Sequence, residues 1–286
     1  MRVVVTGAGG QLGRALAVTV PAGVTMIART RAQTDVTDPA AIAAMLDTTR
    51  PDAVINCAAY TAVDAAETDA EAAAALNTDA PGILAEQTAA RGIGLIHLST
   101  DYVFSGEDDR ALQTSAPIAP RTVYGRTKAD GEAAVRAAHP GAVVVRTAWV
   151  FTGEAGDFAG TMLRLAAERD VVEVVDDQVG SPTYAPDLAR GLWQLVTADP
   201  PITGRVLHAV GAGRASWYDL ARAVVAAAGM DPAKIRPCTT DRFPRPARRP
   251  RWSVLSTDSW TGAGLTPLRP WDEAVAAEIR ATPPRP

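Results

Sequence analysis

Tyr124 and Lys128, four residues apart, are the pair whose types and spacing point most directly to chemistry. On a helix that spacing puts both side chains on one face. A phenol, with a reference pKa of about 10, is a poor acid near neutrality, but a neighbouring ammonium favours the phenolate and should pull it toward a useful range. Thr100, within Ser99-Thr100-Asp101-Tyr102, adds a hydroxyl that could orient a substrate carbonyl beside the Tyr124 proton, the geometry general acid catalysis needs. Tyr-x-x-x-Lys also occurs in ordinary helices as a surface pair, so its meaning depends on the elements around it.

Those elements begin at the N-terminus. Val3-Val4-Val5 is short and β-branched, as a strand buried on both faces should be. Gly7-Ala8-Gly9-Gly10-Gln11-Leu12-Gly13 follows and opens a helix. Gly7 permits the turn, Gly10 lets the backbone approach a pyrophosphate, and Gly13 allows close helix packing, while the free N–H groups at the helix start attract the anion. A glycine-rich turn alone is weak; between a strand and a helix at the head of a βα series it predicts dinucleotide binding.

The second strand ends at Ala28-Arg29 without the acid that would hold a ribose 2′-hydroxyl. Arg29 and Arg31 suit a 2′-phosphate instead, which favours NADPH with NADH as a weaker substitute, unless both are solvated loop arginines. Asp35 and Val36 are placed to flank an adenine. The small-residue turn Asn56-Cys57-Ala58-Ala59, leading into Tyr60, could pass beneath a cofactor backbone.

Strands at Val24–Ala28, Ala53–Cys57, Ile93–Leu98 and Ala142–Arg146 alternate with helices at Pro39–Leu46, Asp64–Arg91 and Thr122–Ala138. Repeated βα units predict an α/β fold, a Rossmann-type doubly wound parallel sheet wrapped by helices. After Thr147 the pattern loosens into helices at Phe158–Arg169, Ala185–Val196 and Trp217–Ala228, with proline and arginine crowding 232–250. This gives a dinucleotide-binding domain over 1–150 and a smaller, mainly substrate-binding C-terminal lobe over 151–286, with about 171–200 returning to the first domain.

With 286 residues, 47% hydrophobic and 21% charged, the chain is long enough for a sizeable core and far from disordered composition. A formal charge of −4 gives no global attraction to nucleic acid or anionic membrane. Cys57 and Cys238 form no Cys-x-x-Cys, and His97, His139 and His208 lack metal-ligand spacing, so no metal is expected. Without a signal-like or membrane-spanning apolar run, the expected location is cytoplasmic.

The motifs together resemble the extended short-chain dehydrogenase/reductases, and within them the chain is similar to the dTDP-4-dehydrorhamnose reductase family nearly end to end. The glycine turn and Tyr-x-x-x-Lys mark the whole superfamily. Ser99-Thr100-Asp101-Tyr102-Val103-Phe104, Arg146-Thr147-Ala148-Trp149-Val150-Phe151 and Asp177-Gln178-Val179-Gly180-Ser181-Pro182-Thr183 are narrower. The resemblance implies NADPH-dependent reduction of the C4 ketone of dTDP-4-dehydro-L-rhamnose to dTDP-L-rhamnose. Thr100, Tyr124 and Lys128 would then be the catalytic triad, with Tyr124 as general acid.

It also implies that Val63, Asp101, Tyr102 and Trp149 line the sugar pocket and that Arg248 and Arg249 neutralise a diphosphate. Tyr102 and Trp149 could equally be core aromatics, and the arginines a solvated face. Where magnesium-bridged dimers of the family carry a glutamate, this chain has Ala15, so a monomer or weak dimer without metal is expected. The alternatives are another nucleotide-sugar epimerase, dehydratase or ketoreductase, or a non-catalytic NADP-binding subunit resembling the methionine adenosyltransferase β subunit. Stoichiometric NADPH consumption would separate the reductase from the others.

Overall fold

A computed structural model describes residues 1–154 and 156–281. The chain opens with β1 (Arg2–Thr6), α1 (Gln11–Val18), β2 (Thr25–Arg29), α2 (Pro39–Thr49) and β3 (Ala53–Asn56). The short helices α3 (Val63–Ala66) and α4 (Ala70–Ala74) precede α5 (Ala80–Ala90), β4 (Gly94–Thr100), α6 (Val123–Ala138) and β5 (Val143–Thr147). The Asp38 side chain caps α2 by accepting from the Ala40 N–H, and Thr122 caps α6 by accepting from the Gly125 N–H.

The second half contains β6 (Val150–Phe151), α7 (Phe158–Glu168), β7 (Val172–Val175), β8 (Val179–Gly180), β9 (Thr183–Tyr184), α8 (Ala185–Val196) and β10 (Val206–His208). It ends with β11 (Ala215–Ser216), α9 (Trp217–Ala227), β12 (Ile235–Cys238), α10 (Asp258–Thr261) and α11 (Trp271–Ala281).

The main sheet has the order β10-β5-β4-β3-β1-β2, with every pairing parallel. The order reverses between β1 and β3, so the loops leaving their carboxyl ends diverge and open a crevice there, as in doubly wound sheets generally. Val3, Val5, Ile55, Leu98 and Val145 pack on one face against α1 and α8; Val4, Val54, Leu95 and Val144 pack on the other against α2, α5 and α6.

The expected strands and most helices form within a few residues of the predicted bounds. The second half is more interleaved than a break at residue 150 suggests. α8, β10 and the Trp260 region join the main sheet and its core, whereas β7 pairs with β12 in a separate small sheet. The small lobe proper is therefore α7, β7, α9, β12 and α11, held by its own apolar clusters.

The continuous helix expected over 64–91 is corrected. α3 and α4 are separated, and a single wide π turn at Ala75–Asp79 precedes α5. Pro81 has no N–H to return to the Asn77 carbonyl, which favours local widening. That carbonyl sits so close to α6 that a Cβ at Gly131 would lie 2.0 Å from it, so glycine is required at 131.

Candidate active site

At the crevice, Gly7 has φ +64, and a Cβ there would lie 2.6 Å from the Ala58 nitrogen. A Cβ at Gly13 would lie 2.5 Å from the Ala8 Cα. The turn can therefore fold flat against the loop after β3 and against its own helix only with glycine at both positions. Asn56 fixes that floor: its Oδ1 accepts from Thr6 Oγ1 at 2.6 Å and from the Ala58 N–H at 3.2 Å. Asn77, buried on the wide turn, accepts from the Tyr60 N–H at 2.9 Å and donates to Thr127 Oγ1 at 3.1 Å, tying the next loop to α6.

The result is a cleft of about 1010 Å³ running from the glycine turn to Tyr124. Its size and its cradle of close-packed glycines fit a dinucleotide. Every residue expected to hold the cofactor lines it except Arg29. The Arg29 side chain folds back to the Ala28 carbonyl, whereas Arg31, two residues further into the loop, faces the cleft beside Asp35. Hydrogen bonds from Thr37 hold the Asp35 carboxyl below its ordinary value, with the Arg31 charge assisting.

Thr100, Tyr124 and Lys128 meet at the inner end of this cleft. Thr100 ends β4; its hydroxyl donates to Asp101 Oδ1 at 2.9 Å and accepts from the Tyr102 N–H at 3.3 Å. Lys128 is 2% exposed, and its Nζ donates to the Leu98 carbonyl at 2.6 Å. Burial pulls the ammonium down to about 8, opposed by the Glu132 carboxylate and by Cys57. Burial pushes Tyr124 up to about 12; the Thr100 hydroxyl opposes this rise and Asp101 adds to it.

The phenol is therefore raised rather than lowered as expected, with desolvation of the ring the largest cause. Asp101, buried beside them, is itself pushed up to about 6 by burial, with hydrogen bonds including that from Thr100 opposing the shift.

The residues expected at the sugar end divide between two cavities. Val63, Thr100, Asp101, Tyr102 and Trp149 line the main cleft. Tyr102 packs edge-on to Tyr124, with centroids 5.4 Å apart. Trp149 has φ +47, a left-handed backbone unusual for a non-glycine residue. Its indole stacks on Trp217 of α9 at 3.6 Å and 6°. A Cβ at Gly180 would lie 2.4 Å from the Trp149 ring, so glycine is required opposite it. Trp217 went unrecognised in the sequence because nothing in its local pattern distinguishes it from the apolar face of a helix.

Arg248 and Arg249 line a neighbouring cavity of about 460 Å³ that shares Tyr102 with the cleft and also presents Arg121, Arg245 and Arg251. Arg248 pairs with Glu107. Arg249 grips Asp64 with two bonds of 2.7 and 2.8 Å. Burial resists ionisation of Asp64, but the bonds from Arg249 and the Ala247 N–H with the arginine charge outweigh it, and its carboxyl is held below the ordinary value. Asp187 is likewise engaged, by Arg190 and Arg269. Among the described residues, no group of three or more His, Cys, Asp or Glu could hold a metal ion, and no helix is long and apolar enough to cross a membrane.

A parallel doubly wound sheet with a glycine cradle and a Thr, Tyr and Lys set at its carboxyl edge defines a dinucleotide-binding site of the dehydrogenase/reductase class. Residues 1–282 match the family model described as the RmlD substrate binding domain. The chain belongs to the dTDP-4-dehydrorhamnose reductase family.

A dTDP-4-dehydrorhamnose reductase of Mycolicibacterium smegmatis is 51% identical, covering 98% of this chain and 87% of that protein. A probable dTDP-4,6-dihydroxy-2-methyloxan-3-one 4-ketoreductase of Streptomyces antibioticus is 47% identical over 96% of this chain and 93% of that protein. The solved structure of a Bacillus anthracis dTDP-4-dehydrorhamnose reductase in complex with NADP superposes with a TM-score of 0.93. It is 30% identical, covering 98% of this chain and 99% of that one.

Proposed function

We propose that the protein reduces the C4 ketone of dTDP-4-dehydro-L-rhamnose to the alcohol of dTDP-L-rhamnose, consuming one NADPH per turnover. The observation that carries this reading is the convergence of Thr100, Tyr124 and buried Lys128 at the inner end of a dinucleotide-sized cleft. NADPH, when bound, supplies the hydride. The Thr100 hydroxyl holds the ketone oxygen beside the Tyr124 phenol. Tyr124 gives its proton to that oxygen as negative charge develops, and Lys128 stabilises the phenolate left behind. Solvent then returns a proton to Tyr124, so the residues end each cycle as they began it.

Binding divides along the two cavities. Gly7 to Gly13, Asp35, Val36 and the Ala58–Tyr60 loop take the cofactor, with Arg31 at its 2′-phosphate. Val63, Asp101, Tyr102 and Trp149 take the hexose. Arg248 and Arg249, on the small lobe's side, take the diphosphate by exchanging Glu107 and Asp64 for phosphate oxygens. We place the enzyme in the cytoplasm, where its reductant is held, as a monomer or weak dimer.

The relative from Streptomyces antibioticus supports a second reading, in which a sister dTDP-4-keto sugar is the substrate and the chemistry is unchanged. The test is NADPH oxidation against dTDP-4-dehydro-L-rhamnose beside its D-configured precursor. Stoichiometric consumption with only the L-sugar supports the first reading, consumption with only the D-sugar supports the second, and consumption with neither removes the first.

A further inference from the structure

Behind Lys128, the mechanism leaves unused a buried charged cluster. Tyr124, Lys128 and Glu132 follow one another at intervals of four along α6 and so share one face. Glu132 is 5% exposed and Arg146, on β5, is 3% exposed. Arg146 Nε donates to Glu132 Oε1 at 2.8 Å, and its Nη2 donates to Oε2 at 2.6 Å. Ser99 Oγ donates to the same Oε1 at 2.5 Å. Ser99 directly precedes Thr100 and lies opposite Arg146 in the sheet, as Thr100 lies opposite Thr147. One carboxylate therefore joins the helix that carries the acid and the ammonium to the strand ends that carry the orienting hydroxyl.

We propose that Glu132, clamped by Arg146, is a positioning residue for the reduction: through Ser99 it sets Thr100 against Tyr124.

Thr100 is the last paired residue of β4, and Ser99 beside it is tied from the side by a carboxylate whose own orientation two arginine bonds fix.

The inference rests on the reductase reading, so wild-type NADPH oxidation with the dTDP-4-keto sugar is the control. Ser99→Ala cuts the link to β4 and leaves the ion pair intact. Its kcat should fall about fivefold or more while both KM values stay within about twofold. Glu132→Gln alone would strand Arg146, so the clamp is read in Glu132→Gln/Arg146→Met, which removes both charges together. That variant, folded by circular dichroism, should lose kcat at least as far as Ser99→Ala while both KM values stay within about twofold.

A Ser99→Ala enzyme with wild-type kcat overturns the positioning role whatever the double variant does. A folded double variant with wild-type kcat overturns the role of the clamp. A wild type that oxidises no NADPH overturns the reductase reading and this inference with it.

Discussion

Charge is handled in opposite ways on the two sides of Tyr102. On the cleft side, Glu132 and Arg146 form a pair with side chains only 6% and 4% exposed, and Lys128 is sealed against the Leu98 carbonyl. On the small-lobe side, Arg248 and Glu107 pair with side chains 63% and 43% exposed. Breaking one partner of a buried pair costs about 3–5 kcal/mol, whereas an exposed pair contributes about 0–1 kcal/mol. The first arrangement is fixed by buried bonds on every side, as proton transfer requires. The second can exchange a carboxylate for a phosphate at little cost, as a binding surface requires.

That contrast predicts where substitutions hurt most. Tyr124→Phe removes the proton donor and leaves the ring edge-packed on Tyr102, so kcat should fall by roughly 100-fold or more with NADPH affinity unchanged. Steady-state assay together with NADPH fluorescence titration checks both halves. A variant within a few fold of wild-type turnover would take the phenol out of the mechanism.

The next effect is pH. Lys128 titrates at about 8, charged below and neutral above. If its ammonium stabilises the phenolate, kcat should decline with rising pH beyond that point, by about tenfold per pH unit. Lys128→Met should be slow at every pH and lack that limb. An alkaline limb that survives in Lys128→Met belongs to another group.

Arg249→Ala tests the other side of the comparison. Its loss should raise the KM for the nucleotide sugar by about tenfold while the KM for NADPH and the chemistry stay as they were, because the residue stands away from the cofactor. A fall in kcat instead would mean that the arginine surface shapes the reacting geometry and that the two regions are not separate in function.

The same contrast explains what could be read in the sequence. The chemistry sits on regular elements, where spacing encodes geometry: four residues place Lys128 below Tyr124, and a strand followed by glycines places the crevice. The sheet and the convergence of Thr100, Tyr124 and Lys128 on one cleft were legible for that reason. The environment of those groups was not, because Tyr124 is raised by burial, and burial depends on Tyr102 and on the loops packed around the ring. Trp149 and Trp217, 68 positions apart by their numbers, meet only through tertiary packing of the small lobe. Of the two arginines the sequence offered for a 2′-phosphate, Arg29 ends the strand as expected and the loop turns so that Arg31 faces the cleft.

Arg31 gives the smallest and most discriminating effect. It lies on the rim of the adenine end, exposed, in a loop folded around Asp35, whose carboxyl accepts from the Thr37 N–H at 3.0 Å and from its hydroxyl at 2.7 Å. The Asp35 charge is therefore already satisfied within its own loop, which leaves the Arg31 guanidinium free to meet a phosphate. An exposed contact of this kind is worth about 1 kcal/mol, or about a fivefold change in binding. Arg31→Ala should lower kcat/KM for NADPH by about that factor and leave kcat/KM for NADH unchanged, while Arg29→Ala should alter neither. Equal losses for both cofactors in Arg31→Ala would show that the side chain supports the loop rather than the 2′-phosphate. A selective loss in Arg29→Ala would mean that the strand-end arginine swings into the cleft when the cofactor binds.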